Sequence, residues 1–201
     1  MLIIKLGGSL LGRPELQSWL TMLVRVGDGR MVIVPGGSIF ANCVRDAQLS
    51  GGYDDVAAHH MALLAMEQFG LVMQSLQPEL VLVSSELEIA ERSWQHRTMV
   101  WMPSRMVLAD ESIPKNWSVT SDSLSAWLAR KLDAQRLVLV KHLSTGVPGS
   151  AIPDLGESGM VDQAFPKFVT ALNCQVELID KSCHADFEAV LAARQTPTRM
   201  T

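Results

Sequence analysis

The stretch Leu2-Ile3-Ile4-Lys5-Leu6-Gly7-Gly8-Ser9 decides the fold. Its apolar run is too short for a stable helix and is closed by two glycines, the form of a strand buried on both faces. Such strands belong to parallel sheets covered by helices. One lysine, Lys5, interrupts the run near its carboxyl end, where parallel sheets present residues to ligands. Glycines there let backbone N–H groups approach phosphate oxygens, and a helix start beyond them adds a favourable dipole. A side chain at Gly8 is therefore expected to obstruct a phosphate donor. Taken alone, the segment reads equally well as a glycine turn beside a solvent-directed lysine.

The pattern continues outward from this strand. Pro14 opens a helix carrying Leu16, Trp19, Leu20, Leu23 and Val24 at helical spacing, with Gly27 suited to its cap. Residues 31–34 form a second buried strand, stopped by Pro35-Gly36-Gly37, and a helix is expected through Phe40 and Val44. Asp54 and Asp55 offer an N-cap for a long helix reaching about Leu76. Strands are predicted at 80–83, 99–102, 137–140 and 176–179. Ser121 or Asp122 can cap a helix whose inner side holds Leu124, Trp127, Leu128 and Leu132. A last helix runs from about 184 to 194, and residues 144–159 read as one long loop. Strands alternating with helices predict an α/β protein, a three-layer αβα sandwich on a largely parallel central sheet, with residues 1–201 as a single domain.

Composition sets the outer limits. The 201 residues are 48% hydrophobic and 19% charged, enough apolar material for a real core. A formal net charge of -4 gives no general attraction to nucleic acid, so a polyanion site must be built locally. Cys43, Cys174 and Cys183 form no CxxC pair and read as small buried hydrophobes in a reducing compartment. No signal peptide or membrane-spanning run is evident, so a cytoplasmic location is expected.

Two further segments repeat the chemistry of the first. Val34-Pro35-Gly36-Gly37-Ser38 is again a strand entering a helix across glycines. Thr120-Ser121-Asp122-Ser123 begins a helix with a carboxylate that, near ammonium groups, stays ionised and fixes their positions. By themselves these are also a common tight turn and a plain N-cap. The Walker P-loop, GxGxxG and the protein-kinase signatures are absent.

In their order along the chain, KLGGS from Lys5, PGG from Pro35 and TSDS from Thr120 resemble the amino acid kinase superfamily, which includes acetylglutamate, aspartate, uridylate and isopentenyl phosphate kinases. The resemblance implies a phosphotransferase that uses ATP with Mg²⁺ on a small-molecule acceptor, with no nucleic-acid or membrane partner, and a homo-oligomer. It implies catalytic roles for Lys5 and Asp122, with Lys167 of Phe165-Pro166-Lys167 as the second lysine. Gly7, Gly8 and Ser9 would hold the donor phosphates. Gly36 and Gly37 would present the acceptor, with His60 (of the pair His59-His60) facing it and Trp117 near enough to line its pocket. The family's threonine/asparagine-x-valine-aspartate-glycine stretch is altered here to Val140-Lys141-His142-Leu143-Ser144-Thr145-Gly146. Gly146 keeps the glycine, Thr145 replaces the aspartate, and Lys141 can compensate by reaching a donor phosphate. Ala58-His59-His60-Met61-Ala62 and Asn116-Trp117-Ser118-Val119 are similar to the branch acting on aminomethylfuran-methyl phosphate in methanofuran biosynthesis. A kinase for a carboxylate or nucleoside monophosphate, and a non-catalytic nucleotide- or oxyanion-binding relative, are the alternatives.

Overall fold

The computed structural model of the chain describes residues 1–142 and 159–195. Six parallel strands form one sheet in the order β3-β4-β2-β1-β5-β6: β1 Leu2–Leu6, β2 Met31–Pro35, β3 Val81–Val83, β4 Met99–Trp101, β5 Arg136–Lys141 and β6 Gln175–Asp180. The helices are α1 Pro14–Gly27, α2 Ser38–Gly51, α3 Asp55–Leu76, α4 Glu86–Trp94, α5 Ser104–Leu108, α6 Ser121–Lys131, α7 Phe165–Thr170 and α8 His184–Gln195. A 3-10 turn, Gly8–Leu10, follows β1.

The period of two along each strand sorts the core into two layers. Ile3, Val32, Val34, Leu137 and Leu139 pack with α6 and α7, through Leu124, Leu128, Phe165 and Val169. Leu2, Ile4, Leu6, Ile33, Val138 and Val140 face the other way, onto Trp19, Leu20 and Leu23 of α1 and Phe187 and Leu191 of α8. This is the three-layer αβα arrangement, and Lys5 and Lys141 share the parity of the α6 face.

Most observed elements extend or trim the expected ones by a residue or two, α2 runs on to Gly51, and α4, α5 and α7 are additions. Three expectations need correction. The left-handed cap of α1 is Asp28 (φ 42°), not Gly27, which is still helical. Helix α3 is long and apolar enough to pass for a membrane span; its apolar face is spent on the core, where Leu63, Met66, Phe69 and Met73 are buried. The cysteines are not buried, since Cys43 is exposed and Cys174 and Cys183 are half-buried.

Candidate active site

The chain order places the site. From β1 the sheet grows through β2 on one side, and the chain later returns to add β5 and β6 on the other. The carboxyl ends of β1 and β5 thus flank the point where connections diverge, the crevice in which open parallel sheets bind ligands. Lys5 pairs with Leu139 across these strands, so Lys141 stands two residues further along on the same face. Register alone brings two lysines to one spot.

Asp122, in the first turn of α6, lies between them. Its Oδ1 is 2.9 Å from Lys5 Nζ, an ion pair without the angle of a good hydrogen bond. Its Oδ2 accepts a hydrogen bond from Lys141 Nζ at 2.5 Å. Lys5 and Asp122 are almost fully buried, at 5% and 4% exposure. Burial pushes the Asp122 carboxyl upward, but the ammonium groups of Lys5 and Lys141 outweigh it and leave the acid below its ordinary range. Burial and the Lys5 charge lower the pKa of Lys141, against the opposing pull of Asp122. Lys5, Lys141 and the nearby Arg45 face the carboxylates of Asp122 and Asp162, which leaves positive charge in excess around the crevice, an arrangement that suits an anion.

The two glycine turns pack backbone to backbone. A Cβ on Gly8 would lie 2.3 Å from Ser38 N, and one on Gly36 would lie 2.4 Å from Gly8 N. The glycines are therefore required by contact between the turns, and a side chain at Gly8 disturbs the Gly36-Gly37 turn as directly as it would any phosphate donor. Gly7 donates its N–H to Val140 O, and Gly36 donates to Leu6 O. Gly8 opens the 3-10 turn and Gly37 is the N-cap of α2. Helical starts leave their first N–H groups without an intrahelical partner. Of the four glycines, Gly8 and Gly37 thus suit an anion, while Gly7 and Gly36 serve the ladder. Ser9 is exposed beside them.

Two adjoining cavities open here. The larger, about 580 Å³, is lined by Asp122, Lys141 and Asp162; the smaller, about 150 Å³, by Ser38, Asn42, His59 and Met66. Arg45, Trp117 and Thr120 line both. Arg45 stacks over the Trp117 ring at 4.3 Å, and Trp117 Nε1 donates to Gln48 Oε1 at 2.6 Å. The histidine in the smaller cavity is His59, not His60, which is exposed. Helical phase is the reason: His59 shares a face with Ala62, Leu63 and Met66, and its neighbour is turned about 100° away. Burial, then the charges of Lys115 and His60, lower the His59 pKa, so its ring is neutral at pH 7.

Lys167 does not join Asp122. Phe165 and Val169 are the buried residues of α7, which carries Lys167 outward to a separate cavity with Asp110, Trp127 and Lys131. The second lysine on the aspartate is Lys141. Gly146 and Thr145 lie outside the described residues.

Asp162 was missed in the sequence. Its carboxylate accepts from Thr120 N and Oγ1, Ser123 N and Oγ, and Phe165 N. It supplies the cap that Thr120 itself does not provide for α6, and ties that helix start to α7. Lys141 Nζ also donates to Met160 O, so the same segment touches the lysine pair. With Asp122 engaged by ammonium groups and Asp162 by these donors, neither carboxylate is free for Mg²⁺. Among the described residues no group of three or more His, Cys, Asp or Glu is arranged for a metal. The residues do not fit a protein-held ion; Mg²⁺ here would have to come held by nucleotide phosphates and water.

A phosphate-suited crevice at a topological switch point, with a carboxylate between two lysines, defines a phosphotransferase. The match to the amino acid kinase family spans residues 1–144, and the chain belongs to that family. It is 25% identical over 177 aligned residues to [5-(aminomethyl)furan-3-yl]methyl phosphate kinase of Methanocaldococcus jannaschii, covering 83% of this chain and 81% of that protein. In fold it is similar to UMP kinase from Bacillus anthracis, with TM-score 0.71, 16% identity and coverage of 96% of this chain and 91% of that one. It is also similar to uridylate kinase from Archaeoglobus fulgidus, with TM-score 0.65, 16% identity and 95% coverage of each.

Proposed function

We propose that this enzyme transfers the γ-phosphoryl group of ATP to a small phosphomonoester, of the aminomethylfuran-methyl phosphate kind, giving a diphosphate for a methanofuran-type cofactor. The observation that carries the reading is Asp122 held between Lys5 and Lys141, with Asp122 and Lys141 lining the larger of the two adjoining cavities. An oxygen of the acceptor phosphate attacks the γ-phosphorus; the bond to the β–γ bridging oxygen breaks, and ADP leaves with that electron pair. The transition state spreads negative charge over the equatorial oxygens, and fixed ammonium groups in a partly dehydrated crevice stabilise it. Asp122 keeps both lysines in place before substrate arrives. A phosphate acceptor is already an anion at neutral pH, so no protein base is needed.

The relative from M. jannaschii supports the acceptor class, since its name is that of a phosphate kinase. So does Arg45, which lines both cavities and can meet an acceptor phosphate at their junction. The smaller cavity, at about 150 Å³, favours a single small ring over a base with its ribose. Steady-state ADP release with the furan alcohol, its monophosphate, UMP and isopentenyl phosphate, compared side by side, tests the reading. The furan monophosphate is expected to be the preferred acceptor. Preference for UMP or efficient turnover of the alcohol would overturn the acceptor assignment, and no turnover with any would overturn it in favour of a carboxylate acceptor or a non-catalytic binding role.

A further inference from the structure

Two residues that line the smaller cavity each carry a buried polar atom with no hydrogen-bond partner among the described residues: Ser38 Oγ and His59 Nε2. A buried polar atom that nothing meets is costly, and a ligand group that bonds to it removes that cost. They come from different helices, α2 and α3. Ser38 belongs to the glycine turns, within touching distance of Gly8, and holds a left-handed backbone (φ 55°) that a non-glycine residue adopts only at a cost. His59 lies on α3 beside Ala62, Leu63 and Met66 and, like Ser38, lines the smaller cavity but not the larger one with Asp122 and Lys141. His59 is only 5% exposed. The rest of the lining mixes apolar and aromatic groups, Leu63, Met66 and Trp117 among them, with the polar Asn42, Arg45 and Thr120.

We propose that His59 reads the end of the acceptor away from its phosphate, accepting through Nε2 a hydrogen bond from an amine or hydroxyl on the acceptor ring, while Ser38 serves the phosphate end. The inference rests on the phosphomonoester reading above and adds a second recognised group to it. A neutral imidazole suits this task, because it offers a lone pair and places no like charge against an ammonium. A site built to bond a polar group discriminates strongly against a ligand without that group, since its own atom is then left unpaired.

The test pairs ligand and protein changes. The acceptors are aminomethylfuran-methyl phosphate and the same phosphate with methyl in place of aminomethyl; the proteins are wild type, His59→Leu and His59→Gln. Wild type is expected to prefer the amine-bearing acceptor by about 10- to 100-fold in kcat/KM. In His59→Leu that preference should collapse to within about threefold, chiefly through KM for the amine-bearing acceptor, and His59→Gln should restore part of it. Thermal unfolding of each variant, with and without the des-amino phosphate, separates loss of fold from loss of recognition. Equal losses on both acceptors in folded His59→Leu, or an unchanged preference, would overturn the role of His59. Wild type that uses neither phosphate would instead refute the furan-phosphate reading on which this inference rests.

Discussion

Asp122 and Asp162 approach the same helix start with the same side chain and do opposite work. Asp122 is buried among charges, with Lys5 at 2.9 Å and Lys141 at 2.5 Å. Asp162 is half-buried among uncharged donors from Thr120, Ser123 and Phe165. The first keeps two ammonium groups in a crevice where water would otherwise compete for them. The second holds the backbone from which the first projects. With the paired glycine turns, Asp162 forms a neutral frame around a charged centre. A carboxylate's role is set by what donates to it, and the two roles should fail differently.

The largest effect should come from the centre. Lys5→Ala is expected to lower kcat by roughly 10²–10³, the cost of one preorganised stabilising donor. A strand-end lysine in solvent could be removed with little effect on folding, but Lys5 is buried and paired. Its loss leaves Asp122 with Lys141 alone, and a loss of about 1–3 kcal/mol of stability, seen as a lower melting temperature, is expected beside the kinetic loss. Turnover near wild type in a folded protein would remove Lys5 from the centre.

Gly8→Val tests the frame. Because a Cβ here meets Ser38 backbone at 2.3 Å, the variant should displace both glycine turns together. Calorimetric titration with a non-hydrolysable ATP analogue and, separately, with the acceptor phosphate should show both affinities falling, each by about tenfold or more. Loss confined to the nucleotide would mean that the turns act independently.

Asp162→Ala should be milder in catalysis and harsher in stability. Removing the acceptor of several part-buried donors, and with it the cap of α6, is expected to cost about 2–4 kcal/mol. The drop in kcat should be smaller than for Lys5→Ala. A kcat loss equal to that of Lys5→Ala, at unchanged melting temperature, would move Asp162 from frame to centre.

What the sequence showed and concealed follows the same division. Lys5 is legible because a lone charge ends an apolar strand, and Asp122 because it begins an amphipathic helix. The long apolar runs and the proline and glycine stops located the strands of the sheet and the longer helices. Helices as short as α5 bury too little to leave a pattern. The partner of Asp122 was not legible: choosing Lys141 over Lys167 requires the register of β5 against β1, which no local pattern carries. Asp162 caps a helix that begins about 40 residues earlier, so no capping motif marks it. For His59 the signal was present, since helical phase with Leu63 and Met66 separates it from His60.

The smallest effect, on pH, sharpens the comparison within the centre itself. Asp122 has a folded pKa below its unfolded value, so its contribution to stability is complete above the ordinary carboxylate range and is lost only as pH falls through the lowered value. Lys141 is also lowered, so its slope has the same sign in a more alkaline window, although here it is the charged form that folding disfavours. Between its folded pKa and that of a free lysine, the unfolded chain binds more protons than the folded one. Stability from this group therefore rises with pH there, while the ammonium needed for transfer disappears. The alkaline limb of kcat should accordingly lie below the ordinary lysine range, with no matching fall in melting temperature from this residue. Saturating ATP analogue should move the limb upward, because phosphate oxygens favour the charged amine. Lys141→Arg, charged throughout, should remove the limb even if its bulkier fork lowers the rate. An alkaline limb unchanged in Lys141→Arg would assign the titration elsewhere and leave Lys141 a part of the frame.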